Sequence, residues 1–318
     1  MSAGVRQHAT DLVEPKHRTP FFSVVIATYN RAGLLAEALQ SLWQQHYKDY
    51  EVIVIDDGST DETATVLRTH ADRLSSYQQA NRGPGAARNL GAQHARGTYL
   101  AFLDSDDVWF PWTLDTYSSA IQAARQPSLL LGAPAYFSDP GELGAMSPSP
   151  LRVNEFSDYY ASQDQWRWWG ASALVVRRDA FESLGGFTNE RINGEDADLA
   201  MRLGTSPGFV QIASPSTLGY RKHANTAMSN FDHSLRGARQ LLEAELAGTY
   251  PGGETRAQAR RRILSRQLRS VMLTALEQGL QGDAWRLYEA TFRWHLGLGQ
   301  WRFLVGFPIL SAGRIVRG

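Results

Sequence analysis

The sequence predicts an α/β fold built on a mostly parallel, doubly wound sheet, with a helical C-terminal extension. Three observations predict it. Short continuous apolar runs, "FFSVVIA" (21–27), "EVIVID" (51–56) and "TYLAFLD" (98–104), alternate with stretches of helical periodicity; unbroken apolar runs suit strands covered on both faces. After Phe231 the pattern turns almost wholly helical. The charge changes at the same place: residues 1–229 carry 19 Lys+Arg against 25 Asp+Glu, net −6, and residues 230–318 carry 13 against 7, net +6. The expected division is therefore a flexible tail over 1–20, an α/β domain over 21–229 and a helical extension over 230–318.

The first strand, 21–27, leads through Asn30, placed to cap the next helix, into "RAGLLAEALQSLWQQ", where Leu34, Leu35, Ala38, Leu39 and Leu42 share one side. The second strand, 51–56, is followed by "STDE" (59–62), a capping box opening a second helix. A short strand near Tyr77, a helix from about Pro84 to Arg96 and the strand ending at Asp104 complete three β-α steps. Further on, "ASALVVRR" reads as a strand, "DAFESLGGF" as a short helix closing on glycine, and "NGEDADLAMRL" as a loop running into a helix. In the extension, "TRAQARRRILSRQLRSVMLTALEQGL" puts Ile263, Leu264, Leu268, Val271, Met272, Ala275 and Leu276 on one helical stripe, with arginines elsewhere.

Composition narrows the chemistry. With 318 residues and 43% hydrophobic content the chain can bury a large core. Cysteine is absent, which excludes disulfides, thiolate metal sites and a thiol nucleophile. The N-terminal stretch has no apolar signal core, and nowhere do about 18 apolar residues run together. A cytoplasmic location is expected.

Ligands of doubly wound sheets bind beyond the carboxyl ends of the strands. The first strand delivers Thr28, Tyr29 and Asn30 there, the second Asp56 and Asp57, and the third long strand Asp104, Ser105, Asp106 and Asp107. Each cluster alone is an ordinary loop. Together they crowd five acids on one edge, which raises carboxyl pKa values unless a cation or donor-rich ligand sits among them. Mn²⁺ or Mg²⁺ suits such oxygen ligands, completing its shell with water and a substrate diphosphate. No G-x-x-x-x-G-K-[ST] loop is present to hold that phosphate instead. Arg88 and Asn89, on the helix after "GPG", face either the phosphates or solvent.

The motifs "SVVIATYNR", "VIVIDDGSTDET", "NRGPGAARNLGAQHARGTYLAFLDSDDVW", "LGGF" and "GEDADLAMRL" make residues 21–225 resemble the family 2 glycosyltransferases. The resemblance implies the GT-A fold, Rossmann-like and mostly parallel with flanking helices, and a nucleotide-diphospho-sugar donor. It implies donor contacts from Thr28, Tyr29, Asn30, Asp56, Asp57, Arg88, Asn89, Asp104, Asp106 and Glu195, with Tyr29 and Asp57 at the nucleobase. Asp106, with Asp107 or Asp104, would hold the metal, and Asp196 would be the base of an inverting displacement. His223, in "RKH", is either a further ligand or a structural histidine.

Trp166, Trp168 and Trp169 with Tyr159 and Tyr160 form an aromatic cluster, which either stacks on an acceptor sugar or packs in the core. The Q-x-x-R-W motif and membrane spans of processive synthases are missing, so transfer of a single sugar to a saccharide or lipid-linked acceptor is expected, with no nucleic-acid partner. The alternatives are an inactive nucleotide-sugar binding module and, less well supported, a nucleotidyltransferase. The tail either packs on the catalytic part or attaches peripherally to a membrane surface.

Overall fold

The protein, seen in a computed structural model, is described over residues 19–144, 146–163, 165, 170–222 and 231–315. The first half runs β1 (Phe22–Thr28), α1 (Ala32–Trp43), β2 (Tyr50–Asp56), α2 (Thr63–Thr69), β3 (Ser75–Gln78), α3 (Pro84–His94) and β4 (Tyr99–Asp104). The strands and helices expected in this half are all present, within a residue or two of their predicted ends, whereas the strand expected over 171–178 is confined to Leu174–Arg177 behind a 3-10 turn at Ala171–Ala173. Next come β5 (Val108–Trp109), α4 (Thr113–Ala123), β6 (Leu129–Leu131), β7 (Pro134–Phe137), β8 (Arg152–Phe156), β9 (Leu174–Arg177), α5 (Arg178–Ser183), α6 (Glu195–Arg202), β10 (Phe209–Ser214) and β11 (Leu218–Arg221). The helical part comprises α7 (Phe231–Leu246), α8 (Ala257–Glu277), α9 (Gln281–Gly297) and α10 (Trp301–Ile315).

Eight strands form one sheet in the order β3-β2-β1-β4-β9-β6-β10-β8. β1 to β4 are mutually parallel, as the βαβ alternation requires, whereas β9 runs antiparallel between β4 and β6, and β8 antiparallel on β10. The register aligns Thr28 with Asp56 and Ala27 with Asp104, so three strands end level on one edge. A small sheet, β5-β11-β7, continues beyond that edge.

The pleat sorts side chains onto two faces. Val24, Ile26, Val52 and Val54 meet Leu35 and Leu39 of α1 and Leu114 of α4, while Val25, Ile53 and Ile55 share the other cluster with α3, α6 and the C-terminal helices. The stripe of α8 belongs to that second cluster: Ile263, Leu264, Leu268, Met272, Ala275 and Leu276 are buried. Two expected caps are different. Asn30, at φ +51°, does not cap α1; its Oδ1 accepts from Thr60 N at 2.7 Å. The box of Ser59 and Glu62 does not form at α2 either, and Ser59 Oγ accepts instead from Asn30 N at 2.9 Å. Asp61 serves both helix starts, its Oδ2 accepting from Ala32 N at 3.0 Å and its Oδ1 from Thr63 N at 3.1 Å. Bonding between the loops at two strand ends has replaced the expected local caps. Among the described residues no helix is long and apolar enough to cross a membrane.

Candidate active site

β4 is buried until Asp104, where the chain turns sharply and Asp107 N donates to Asp104 O at 3.1 Å. The turn is held from behind: Asp104 N donates to Ser172 Oγ at 3.0 Å, and the buried Trp109 donates from Nε1 to Ser172 O at 3.0 Å. This brings one carboxylate oxygen each from Asp104, Asp106 and Asp107 within 4.8 Å of one another. Burial, and then the charges of Asp104 and Asp106, push the Asp107 carboxyl well above the usual range.

Three arginines oppose this charge. Arg31 Nη1 lies 2.6 Å from Asp106 Oδ2, and Arg221 donates from its backbone N to Asp107 Oδ1 at 3.0 Å, from Nε to Asp106 O at 2.9 Å and from Nη2 to Glu37 Oε2 at 2.5 Å. Arg88, only 4% exposed, reaches Asp104 Oδ1 at 2.6 Å and Glu195 Oε1 at 2.7 Å. Burial works against the Arg88 charge, but Asp104 and Glu195 outweigh it and keep the guanidinium protonated. Arg88 therefore faces the acids and not solvent.

Glu195 opens α6 after Gly194, whose φ of +101° suits glycine best. Asp196 comes next, partly exposed, its Oδ1 accepting from its neighbour Ala197 N at 2.8 Å. Desolvation first and the Glu195 charge second push its carboxyl up to about 7. Asp198, further along α6, is instead committed to Arg202 at 2.8 Å.

At the other strand ends the carboxylates are occupied. Asp56 accepts from Ser59 N at 2.8 Å and Gln78 Nε2 at 3.0 Å; Asp57 accepts from Gln79 Nε2 at 2.6 Å, Arg82 N at 2.9 Å and Gly83 N at 2.8 Å. These bonds shape the loops between β2, β3 and α3. Thr28 Oγ1 is buried without a hydrogen-bond partner among the described residues, and Tyr29 is exposed. Asn89, half-buried, is bonded to the loop before α6: its Nδ2 donates to Phe187 O at 2.9 Å and its Oδ1 accepts from Phe187 N at 2.8 Å. Tyr159 and Tyr160 lie in the core, where Tyr160 donates to Met201 O at 2.6 Å. Trp166, Trp168, Trp169 and His223 lie outside the described residues.

The charge partners Arg31 and Glu37 carry no sequence signal of that role, because both belong to a stretch that reads as an amphipathic helix start. Three hard oxygen donors at this spacing fit a divalent cation of the Mg²⁺ or Mn²⁺ type.

The family model described as "Glycosyl transferase family 2" matches residues 23–183. A succinoglycan biosynthesis protein, ExoW, of Rhizobium meliloti is 32% identical over 194 residues, which is 55% of this chain and 60% of that protein. An uncharacterized glycosyltransferase of Rickettsia conorii is 44% identical over 90 residues, 28% of this chain and 15% of that protein. The chain thus matches only a small part of that relative's length. Among solved structures, S. aureus TarS 1-349 superimposes with a TM-score of 0.62 at 20% identity, covering 80% of this chain and 74% of that one. The same protein in complex with UDP-GlcNAc gives 0.63 at 19% identity, covering 85% and 79%. At such identities the likeness is one of fold.

Proposed function

This chain belongs to glycosyl transferase family 2, and on that premise we propose that it transfers a single sugar from a nucleotide-diphospho-sugar to an acceptor hydroxyl with inversion at the anomeric carbon. The observation that carries this is the Arg88 bridge. One buried guanidinium ties Asp104 of the acidic cluster to Glu195, the neighbour of a carboxyl raised to about 7. A candidate cation site and a candidate proton acceptor thereby share one charge network, and displacement at a sugar carbon uses both a stabilised leaving group and a proton acceptor.

Asp196 is the base. It takes the proton of the acceptor hydroxyl as that oxygen bonds to the anomeric carbon, and the bond from that carbon to the leaving diphosphate breaks on the opposite side. Arg88 orients Asp104 and Glu195 around it. Tyr29, Thr28 and the loop held by Asp57 receive the nucleoside. Asp106 and Asp107, with Asp104 beside them and His223 as a further ligand, would hold Mn²⁺ or Mg²⁺. When bound, the metal supplies Lewis-acid neutralisation of the leaving diphosphate. The catalytic part is residues 21–229. The acceptor is a saccharide, free or on a lipid carrier, with Trp168 and Trp169 as stacking surfaces; a relative named for succinoglycan biosynthesis supports a polysaccharide precursor. The reaction runs in the cytoplasm or at the inner face of the membrane.

The test is a donor screen with Mn²⁺ or Mg²⁺, following nucleotide release from UDP-, GDP- and dTDP-sugars, with UDP-GlcNAc first because a fold neighbour was solved with it. One donor turned over far faster than the rest, with activity lost in EDTA, is expected. No release from any donor, with or without saccharide acceptors, would sink the assignment.

A further inference from the structure

The last helix is apolar on two sides, and among the described residues only one of them is covered. Inward, α10 buries Leu304, Phe307 and Ser311. Phe307 stacks on Tyr288 of α9 with ring centroids 4.5 Å apart, and Trp285 Nε1 donates to Ser311 Oγ at 2.9 Å. Outward, Trp301, Val305 and Ile309 succeed one another at four-residue spacing and are 60%, 61% and 66% exposed, with Leu310 beside them at 51%. A helix on the surface of a globular protein ordinarily turns polar residues outward. Single exposed apolar side chains need no explanation, but a row on successive turns does. The last turns of α9 add exposed Phe292 and Leu296.

The charge around this row decides among occupants. From residue 290 onward the chain has Arg293, Arg302, Arg314 and Arg317 and no Asp or Glu. A second copy docking on this face would bring four arginines against four, with Glu289, exposed one turn before Phe292, as the single acid on the adjoining side of α9. Residues 1–18, "MSAGVRQHATDLVEPKHR", offer only Met1, Val5, Leu12 and Val13 as large apolar groups, too few to cover it. An anionic lipid surface supplies both missing partners: headgroups for the arginines and the acyl boundary for the apolar row. At 15 residues α10 is about 22 Å long, too short for the roughly 30 Å hydrocarbon core, so it lies in the interface and does not span it.

We propose that the outward face of α10 docks this protein on an anionic lipid surface, with Trp301, Val305, Ile309 and Leu310 inserted shallowly. Such docking gives a place to the peripheral attachment and does not depend on the transfer chemistry.

Flotation of the full chain with phosphatidylcholine vesicles, with and without about one third phosphatidylglycerol, tests it without any sugar nucleotide present, so its outcome is read separately from that of the donor screen. The wild type is expected to float with the anionic vesicles at low salt and to be released at high salt. V305S/I309S and R293Q/R302Q should each lower the floated fraction by about tenfold or more. Both pairs are exposed, so unchanged thermal midpoints assign the loss to the surface and not to folding. Wild type left at the bottom with both vesicles, equal capture by neutral vesicles, or variants that float like wild type would each overturn the proposal. A lipid-free dimer by sedimentation that V305S/I309S converts to monomer would overturn it too, and assign the face to a second copy.

Discussion

Asp196 combines two burdens in one carboxyl: it is the base proposed for the transfer, and its surroundings disfavour its charge. With a pKa near 7, transfer should rise as pH passes upward through about 7, because only the ionised form accepts a proton. Asp196→Asn should lower the transfer rate by about 10² or more while leaving nucleoside diphosphate affinity nearly unchanged; calorimetry beside a release assay separates the two. Folding stability is linked to the same ionisation. A carboxyl raised in the folded state costs stability above its unfolded pKa, increasingly until pH passes the folded value, and costs nothing at lower pH. Asp196→Asn should therefore raise the thermal midpoint at pH 8 and leave it little changed near pH 4. A midpoint shift equal at both pH values would detach the effect from ionisation. Arg88 is the opposite case, a buried charge that is fully paired. Arg88→Met leaves Asp104 and Glu195 uncompensated and should cost about 3–5 kcal/mol in urea unfolding.

At the scale of elements, α8 is amphipathic, and its exposure pattern sets out which of its side chains matter. Leu268 is fully buried in the cluster shared with the sheet, whereas Leu273 is 36% exposed. Leu268→Ala should destabilise the protein by about 2–5 kcal/mol and Leu273→Ala by about 1 kcal/mol or less. Comparable losses would mean that the helix packs by another face. The turn after β4 is an element of a different kind, since its three carboxylates add repulsion and no packing. Asp106→Ala should weaken nucleoside diphosphate binding in Mn²⁺ to the level seen in EDTA, because Asp106 is one of the residues proposed to hold the metal that would neutralise the diphosphate. Equal affinity in wild type, variant and EDTA would remove the metal bridge.

For the whole molecule, α7, α8, α9 and α10 contribute to the same cluster as β1, β2 and β4, so the helical part completes one face of the sheet. A chain ending at residue 246 should lose solubility instead of retaining a folded catalytic part, and the full chain should melt in one transition; a soluble truncated form with a cooperative melt would show two independent units. The sequence by itself determined the parallel half of the sheet and the acidic edge, because both are local facts: unbroken apolar runs make strands, and the residues just past each run must emerge at its carboxyl end. It also placed Asp196 at the start of a helix. Tertiary structure alone decided what those acids meet. Arg31, Arg88 and Arg221 come from three separate segments, and only the fold brings them onto Asp104, Asp106 and Asp107. The same holds for the antiparallel β9, whose apolar run has no direction until β4 and β6 flank it, and for Asn30 and Asn89, whose amides bond across 30 and 98 positions of chain. Periodicity reports which residues seek the core. Side-chain pairing over such separations depends on where the packed elements come to rest, and that is written in no single stretch.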